Sequence, residues 1–349
     1  MNINLNENES GKIWTPVSLN NLLWRDTELF EVFIGKNEKA AINTFLNAMI
    51  PGYFEQYKQE LARQEAGIRS LLSSYIPNKS ELNYVVDKMI AEGHPEDHED
   101  RKQKSVSISF KPRGRAVAIN AEIEQAAAKM NQSRSGFYKN LLLSYSRKPM
   151  YERERLVYHE DMEKITNALK SRKKQELIFT SRDNPHVIHT VLPYRLVHGA
   201  DEQFNYLIGQ EKVGRKYMAC TYRLRRMIVS GTQPAESALD PRIGEYLDLM
   251  LYYDPQYAIN ERVETCVEFT EKGLKDFRRI YMGRPKLKAV EDSSTRFTTF
   301  CSQEQLFNYF KRFNPGEAIV LWPEKLRKSL AGFHEKHLEA LRTGKAQEN

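Results

Sequence analysis

Residues Lys216-Tyr-Met-Ala-Cys-Thr-Tyr-Arg-Leu-Arg-Arg226 carry the densest chemistry in the chain. Read as a β-strand, the segment sends alternate side chains to opposite faces. Met218, Cys220, Tyr222 and Leu224 form an apolar row, and Thr221, Arg223 and Arg225 form the opposite one. Such a strand buries the first row and holds guanidinium groups in a fixed array that suits a polyanion. A solvated edge strand carrying positive charge would read the same way.

The segments before it narrow the choice. Short strands are expected over 176–180, 187–197 and 203–210, separated by Ser181-Arg-Asp-Asn-Pro185, His198-Gly-Ala-Asp201 and Glu211-Lys-Val-Gly214. Such Gly, Pro, Asn and Asp clusters punctuate strands. A helix is expected over 159–171. One helix followed by about five antiparallel strands predicts a small barrel or a strongly bent sheet.

Pro193-Tyr194, Asn205-Tyr206-Leu207-Ile208-Gly209 and Tyr222-Arg223-Leu224-Arg225-Arg226-Met227 together resemble the signature of WYL domains. Asn stands where the family's name-giving triplet has Trp, and Arg225 stands where its last strand has Asp. The resemblance implies an Sm-like β-barrel whose basic groove binds an anionic ligand, with Arg223 and Arg226 at the family's two arginines. Tyr194, Arg195, Tyr206 and Arg225 join them as candidate nucleic-acid contacts.

The chain has 349 residues, enough for two or three domains, and a net charge of +7. Three acid-poor clusters concentrate that charge. One contains Arg101, Lys102, Lys104, Lys111, Arg113 and Arg115; another contains Lys212, Arg215, Lys216, Arg223, Arg225 and Arg226. The third includes Arg278, Arg279, Arg284, Lys286 and Lys288. Cationic clusters in separate elements favour a nucleic-acid partner over a merely solvated surface.

Residues 105–147 have their own pattern. Val106, Ile108 and Phe110 alternate with Ser105, Ser107 and Ser109, a helix pattern runs over 118–130, and Ser133 or Ser135 caps a second helix reaching 145. This order resembles one protomer of a ribbon-helix-helix domain, with Ser133-Arg134-Ser135-Gly136-Phe137 at the entry to its second helix. The resemblance implies phosphate held at that helix start, favoured by the helix dipole. It makes Lys104, Ser107, Ser109, Lys111, Arg113, Arg115, Ser133 and Arg134 candidate nucleic-acid contacts.

A lone ribbon strand needs an antiparallel partner. Residues 12–19 read as a strand, 21–33 and 39–50 as helices, and Asn43-Thr-Phe-Leu-Asn-Ala-Met49 occupies the place of Ser135-Gly-Phe-Tyr-Lys-Asn-Leu141. We expect two half-motifs forming an intramolecular pseudo-dimer, with further helices over 54–75 and 80–92. The ribbon's outward residues, Trp14, Pro16, Ser18 and the three serines, are a poor set for reading base edges.

From 261 the pattern is strand–helix three times over, at 263–270, 271–281, 296–301, 303–313, 318–321 and 323–341, which predicts a small α+β domain. Its apolar stripes, Phe307, Phe310 and Phe313, and Leu326, Leu330, Phe333 and Leu341, read as core or as a homodimer contact. The expected fold is therefore α+β and multidomain. A helical region with a half-motif spans 1–100, the ribbon-helix-helix motif 101–150, the WYL barrel 151–235, a linker 236–260 and a C-terminal dimerisation domain 261–349.

No Walker loop, dinucleotide fingerprint or metalloprotease helix is present, so binding rather than catalysis is expected. No cofactor or metal is called for: His94 and His98, or His334 and His337, lack further ligands, and Cys220, Cys266 and Cys301 are too scattered for a Cys-x-x-Cys site. With no signal peptide and no membrane-length apolar run, a soluble cytoplasmic protein is expected. The order of domains, with Phe269-Thr-Glu-Lys-Gly273, Arg278-Arg-Ile-Tyr281 and Arg284-Pro285, resembles the WYL-containing accessory proteins of type VI-D CRISPR systems. The resemblance implies a homodimer that binds single-stranded RNA and enhances an RNA-guided effector nuclease. The competing expectation is a DNA-binding transcriptional regulator with a ligand-sensing WYL domain. Arginines beside Tyr194 and Tyr206 favour unpaired bases over duplex DNA.

Overall fold

The computed structural model describes residues 11–31, 38–92, 104–130, 132–171, 173–200 and 203–345. They form an α+β chain of two units, 1–160 and 161–349. His94, His98, Arg101 and Lys102 lie outside the described residues.

In the first unit, β1 (Gly11–Pro16) pairs antiparallel with β2 (Ser105–Phe110), setting Ile13 against Ile108 and Trp14 against Ser107. Alternation splits the ribbon except at Pro16, which is buried although expected outward; Ser18, also expected outward, lies beyond the strand in the following helix. Ile13, Thr15, Ile108 and Phe110 are buried, while Lys12, Trp14, Ser107 and Ser109 are exposed. After β1 come α1 (Val17–Leu29), α2 (Glu38–Leu72) and α3 (Lys79–Glu92). After β2 come α4 (Arg115–Lys129), α5 (Arg134–Ser146) and α6 (Met150–Val157).

The two halves exchange supports, with α5 packing on β1 and α2 on β2. Trp14 N–H donates to Ser135 Oγ at 3.3 Å, and Lys111 N–H donates to Asn43 Oδ1 at 2.7 Å. Asn47 Oδ1 accepts from Arg113 N–H at 2.6 Å. Phe45 of α2 and Phe137 of α5 are both fully buried. These contacts satisfy backbone groups that an isolated two-stranded ribbon would leave open.

One expectation fails in α2. Pro51-Gly52 reads as a stop after Ile50, yet the helix runs through it. The buried stripe Met49, Ile50, Tyr53, Phe54 and Tyr57 continues across the break. Gly52 is required there, since a Cβ would stand 2.1 Å from the Leu156 carbonyl. Below it, Arg153 pairs with Asp26 at 2.7 Å, and the Tyr145 hydroxyl donates to the same carboxylate at 2.9 Å. Burial pushes the Asp26 carboxyl up against the pull of Arg153.

The second unit takes up most of α7 (His159–Lys170) and then five strands, β3 (Gln175–Ser181), β4 (Ile188–His198), β5 (Asn205–Val213), β6 (Lys216–Arg223) and β7 (Met227–Pro234). They run antiparallel in the order β6-β5-β4-β3-β7. Among the described residues β6 and β7 are not paired, so the expected barrel is not a closed ring. Connectivity nevertheless dictates strong curl. A flat five-stranded sheet would part its edge strands by about 19 Å. The link Leu224–Arg226 is a single 3-10 turn, and even extended it would reach only about 14 Å.

The stretch 236–260, expected to be a linker, contains α8 (Pro241–Tyr253), capped by Asp240 and started by Pro241. Ile243, Leu247 and Met250 pack against Ile208 and Ala219. After it follow β8 (Thr265–Phe269), α9 (Glu271–Arg279), β9 (Lys288–Ala289), β10 (Arg296–Thr299), α10 (Gln303–Phe310), β11 (Ala318–Trp322) and α11 (Glu324–Thr343). Their sheet order is β11-β8-β10-β9, over a core of Phe269, Leu306, Tyr309, Phe310 and Phe313. Of the expected α11 stripe, Leu326 is buried, but Leu341 is 68% exposed. Among the described residues no helix is long and apolar enough to cross a membrane.

Candidate nucleic-acid interface

The first motif, Pro193-Tyr194-Arg195, forms a bulge and is not among the residues lining the cavity that Arg223 and Arg226 border. Pro193 lies opposite Gly209, and the β4–β5 register slips before Arg195, so Tyr194 is the extra residue. Pro193 has no N–H to give a ladder. A Cβ on Gly209 would stand 2.5 Å from the Leu192 carbonyl, so only glycine admits this approach. Tyr194 donates its hydroxyl to Asp248 of α8 at 2.8 Å, and that bond raises its phenol above the usual value. Arg195 is exposed and lies 5.8 Å from the centre of the Tyr194 ring.

Register then joins the other two motifs, for Tyr206 faces Arg223 across β5 and β6. The Arg223 guanidinium sits 3.5 Å over the Phe204 ring and 5.7 Å from that of Tyr206. Tyr206 is only 3% exposed. It stands beside Arg223 on the cavity wall but is too buried to present an open ring for stacking, so it does not serve as an exposed aromatic.

The alternation of the last strand also ends early. β6 stops at Arg223, and the 3-10 turn carries Leu224 into the core and Arg225 against Phe204 at 5.2 Å. Arg225 is 9% exposed and so does not belong to an outward cationic row. Nor is the opposite row uniformly buried, since Met218 is 37% exposed while Ala219 lies beneath α8. Arg182 fastens the turn, donating its backbone N–H to Arg226 O at 2.8 Å and its Nε to Arg225 O at 2.9 Å. Arg226 points outward and pairs with Asp183 at 3.2 Å.

Arg223, Arg226 and Asp183 border a cavity of about 540 Å³, lined also by Tyr206, Tyr222, Tyr257 and Glu304, whereas Arg225 does not line it. That volume suits a nucleotide-sized group. Its Tyr222 wall is fixed from beneath. The hydroxyl donates to Glu211, His189 Nδ1 lies 2.9 Å from the same carboxylate, and Phe179 stacks on His189 at 5.3 Å. Burial and the Glu211 bond raise the Tyr222 phenol far above its usual value, so it remains a donor.

The remaining candidates lie elsewhere. Arg278 and Arg279 are exposed in the last turn of α9, where they also complement the helix dipole. Arg284 lies 5.8 Å from the Phe277 ring. None of the three is among the residues lining the cavity. In the first unit Lys104, Ser107, Ser109, Arg113 and Arg115 are exposed, and Lys111 is half-buried. Arg115 meets Glu160 at 3.2 Å and Arg134 meets Glu124 at 3.1 Å. Ser133 caps α5 by accepting from Gly136 N–H at 3.0 Å. Phe204, Asp183, Tyr257 and Glu304 carried no signal of their own in the sequence, because only folding brings them to the arginines. Cys220, Cys266 and Cys301 are free and buried, and burial pushes the Cys301 thiol up to about 11.

No protein-family model matches the chain, and no curated protein matches it by sequence. A solved structure described as a CRISPR Cas-related protein is similar over 97% of this chain and 95% of its own, with a TM-score of 0.68 and 18% identity. At that identity the likeness is one of fold. Proteasome accessory factor B/C (PafBC) of Arthrobacter aurescens matches 49% of this chain and 26% of its own at 18% identity; its TM-score of 0.20 supports no argument.

Proposed function

We propose that this chain is a non-catalytic accessory protein that binds single-stranded RNA and enhances an RNA-guided CRISPR ribonuclease. The observation that carries the reading is the placing of Arg223, Arg226 and Tyr222 around one nucleotide-sized cavity. Guanidinium groups neutralise phosphates there, and a single strand alone can lay an unstacked base into such a pocket. The fold shared with a CRISPR Cas-related protein supports the setting.

In this reading the helix and curled sheet of 159–234 form an Sm-like WYL domain, and the β1–β2 ribbon with its helices is a ribbon-helix-helix pseudo-dimer. The domain built on β8, β10 and β11 supplies a homodimer contact through α11, whose Leu338 and Leu341 are exposed. The test titrates the full chain with labelled uridine RNA and with random duplex DNA across salt. RNA binds more tightly, with affinity falling steeply as salt rises, because phosphate neutralisation releases counterions. Arg223→Ala with Arg226→Ala weakens RNA binding by about 1 to 3 kcal/mol and leaves the fold intact. A duplex operator that outcompetes RNA at physiological salt would replace this reading with that of a transcriptional regulator.

A further inference from the structure

The outward face of the β1–β2 ribbon has a composition that the groove of the second unit does not explain. Trp14 sits in the middle of β1 and is 54% exposed, while its neighbours Ile13 and Thr15 are 2% and 0% exposed. Directly across the ladder stands Ser107, and Lys12 beside it faces Ser109. Small serines around an indole leave its ring uncovered, so the ring stands clear of the sheet. The backbone beneath is rigid, since Trp14 N–H is held by Ser135 at 3.3 Å and the Thr15 hydroxyl reaches Val106 O at 3.5 Å.

Charge selects the occupant. Lys12 shares the face of Trp14, and Lys104, Lys111 and Arg113 lie at the ends of β2. No acidic residue occurs in 11–19 or in 104–119. A protein partner would want a continuous apolar patch, and this face offers one indole among hydroxyls and ammonium groups. An aromatic platform inside a cationic frame suits unpaired bases, which stack while phosphates are neutralised. The Ser107 and Ser109 hydroxyls beside it can bond a ribose 2′-hydroxyl, which DNA lacks.

We propose that this ribbon is a second single-stranded RNA site, with Trp14 as its stacking residue. The proposal rests on the reading of single-stranded RNA as ligand, but not on the groove around Arg223. It gives the ribbon, a poor reader of base-pair edges, the role of a stacking platform.

The test uses the full chain as wild type, Trp14→Phe, Trp14→Ala and Arg223→Ala with Arg226→Ala. Each is titrated with a uridine RNA oligonucleotide, a thymidine DNA oligonucleotide and a mixed-sequence duplex DNA, following indole emission and anisotropy of the labelled strand. RNA quenches an emission component that is absent from Trp14→Phe, and the double arginine variant keeps that quenching. Trp14→Ala weakens RNA binding by at least about fivefold, the lower end of a base–aromatic contact, with an unchanged melting curve. If Trp14→Ala binds RNA as tightly as wild type while the arginine variant does not, the ribbon proposal falls and the groove reading stands. Quenching of Trp14 by thymidine DNA equal to that by RNA overturns the ribose assignment, and stronger quenching by duplex DNA overturns the single-strand one.

Discussion

Asp183 holds Arg226 in an ion pair whose side chains are each 49% exposed, so the groove carries a competitor for its own ligand. A phosphate that reaches Arg226 must displace this carboxylate. An exposed pair is worth little in stability, whereas a negative charge at the groove opposes every anion entering it. Asp183→Asn therefore tightens RNA binding about twofold to fivefold at low salt, the equivalent of one exposed ion pair. Anisotropy titration against wild type measures it, and weaker binding would mean that Asp183 orients Arg226 for the ligand. Of the sequence-identified arginines, Arg223 and Arg226 reach the cavity because register and the turn send them there. Arg225 does not, because the 3-10 turn that starts at Leu224 ends the strand's alternation and packs this side chain against Phe204.

At the scale of elements, α2, α5 and the segment before α6 are tied by one carboxylate. Glu60 accepts from Tyr53 at 2.6 Å, from Ser144 at 3.1 Å and from Lys148 at 2.7 Å. Burial pushes Glu60 up, but the bonds from Lys148 and Tyr53 outweigh it and leave the carboxyl below its usual value of 4.5. A depressed carboxyl contributes stability that is present above the unfolded value and lost as the pH falls through the folded one. Wild type is accordingly more stable than Glu60→Gln by about 1 kcal/mol at neutral pH, scaled down for partial exposure. That advantage fades once the pH drops below 4.5. Denaturant melts of the pair across pH check it, and an advantage that persists in acid would show that the bonds, not the charge, stabilise the cluster. The strand readings over 12–19 and 105–110 located both ribbon strands, although the first ends at Pro16. The continuation of α2 through Pro51 was hidden, because only the buried stripe shared with other helices outweighs the local stop signal.

For the whole molecule, the ribbon is closed within one chain, since β1 and β2 are its two strands. The inner face of each strand is covered by helices of the same unit, through Ile13, Ile108, Phe45 and Phe137. A fragment of 1–160 thus has its partner strand built in and sediments as a folded monomer with a cooperative melt. Dimerisation of that fragment would place a self-association surface in the first unit. The full-length dimer of the proposed function would then need re-examination by truncation.

Periodicity and turn chemistry suffice to read the six strand–helix segments after 261, the paired ribbon strands and the helix-plus-strands order of the second unit, because these are local properties of the chain. The motif residues Tyr206, Gly209 and Arg223 were singled out by the resemblance of their segments to a family signature. What they do was not legible in it. Register seats Tyr206 beside Arg223, and α8 roofs the face of β6 that holds Ala219. A three-residue link curls the sheet until Asp183 meets Arg226. Burial and partnership are set by contacts between segments far apart in sequence, and alternation along one strand carries no information about what will cover either face.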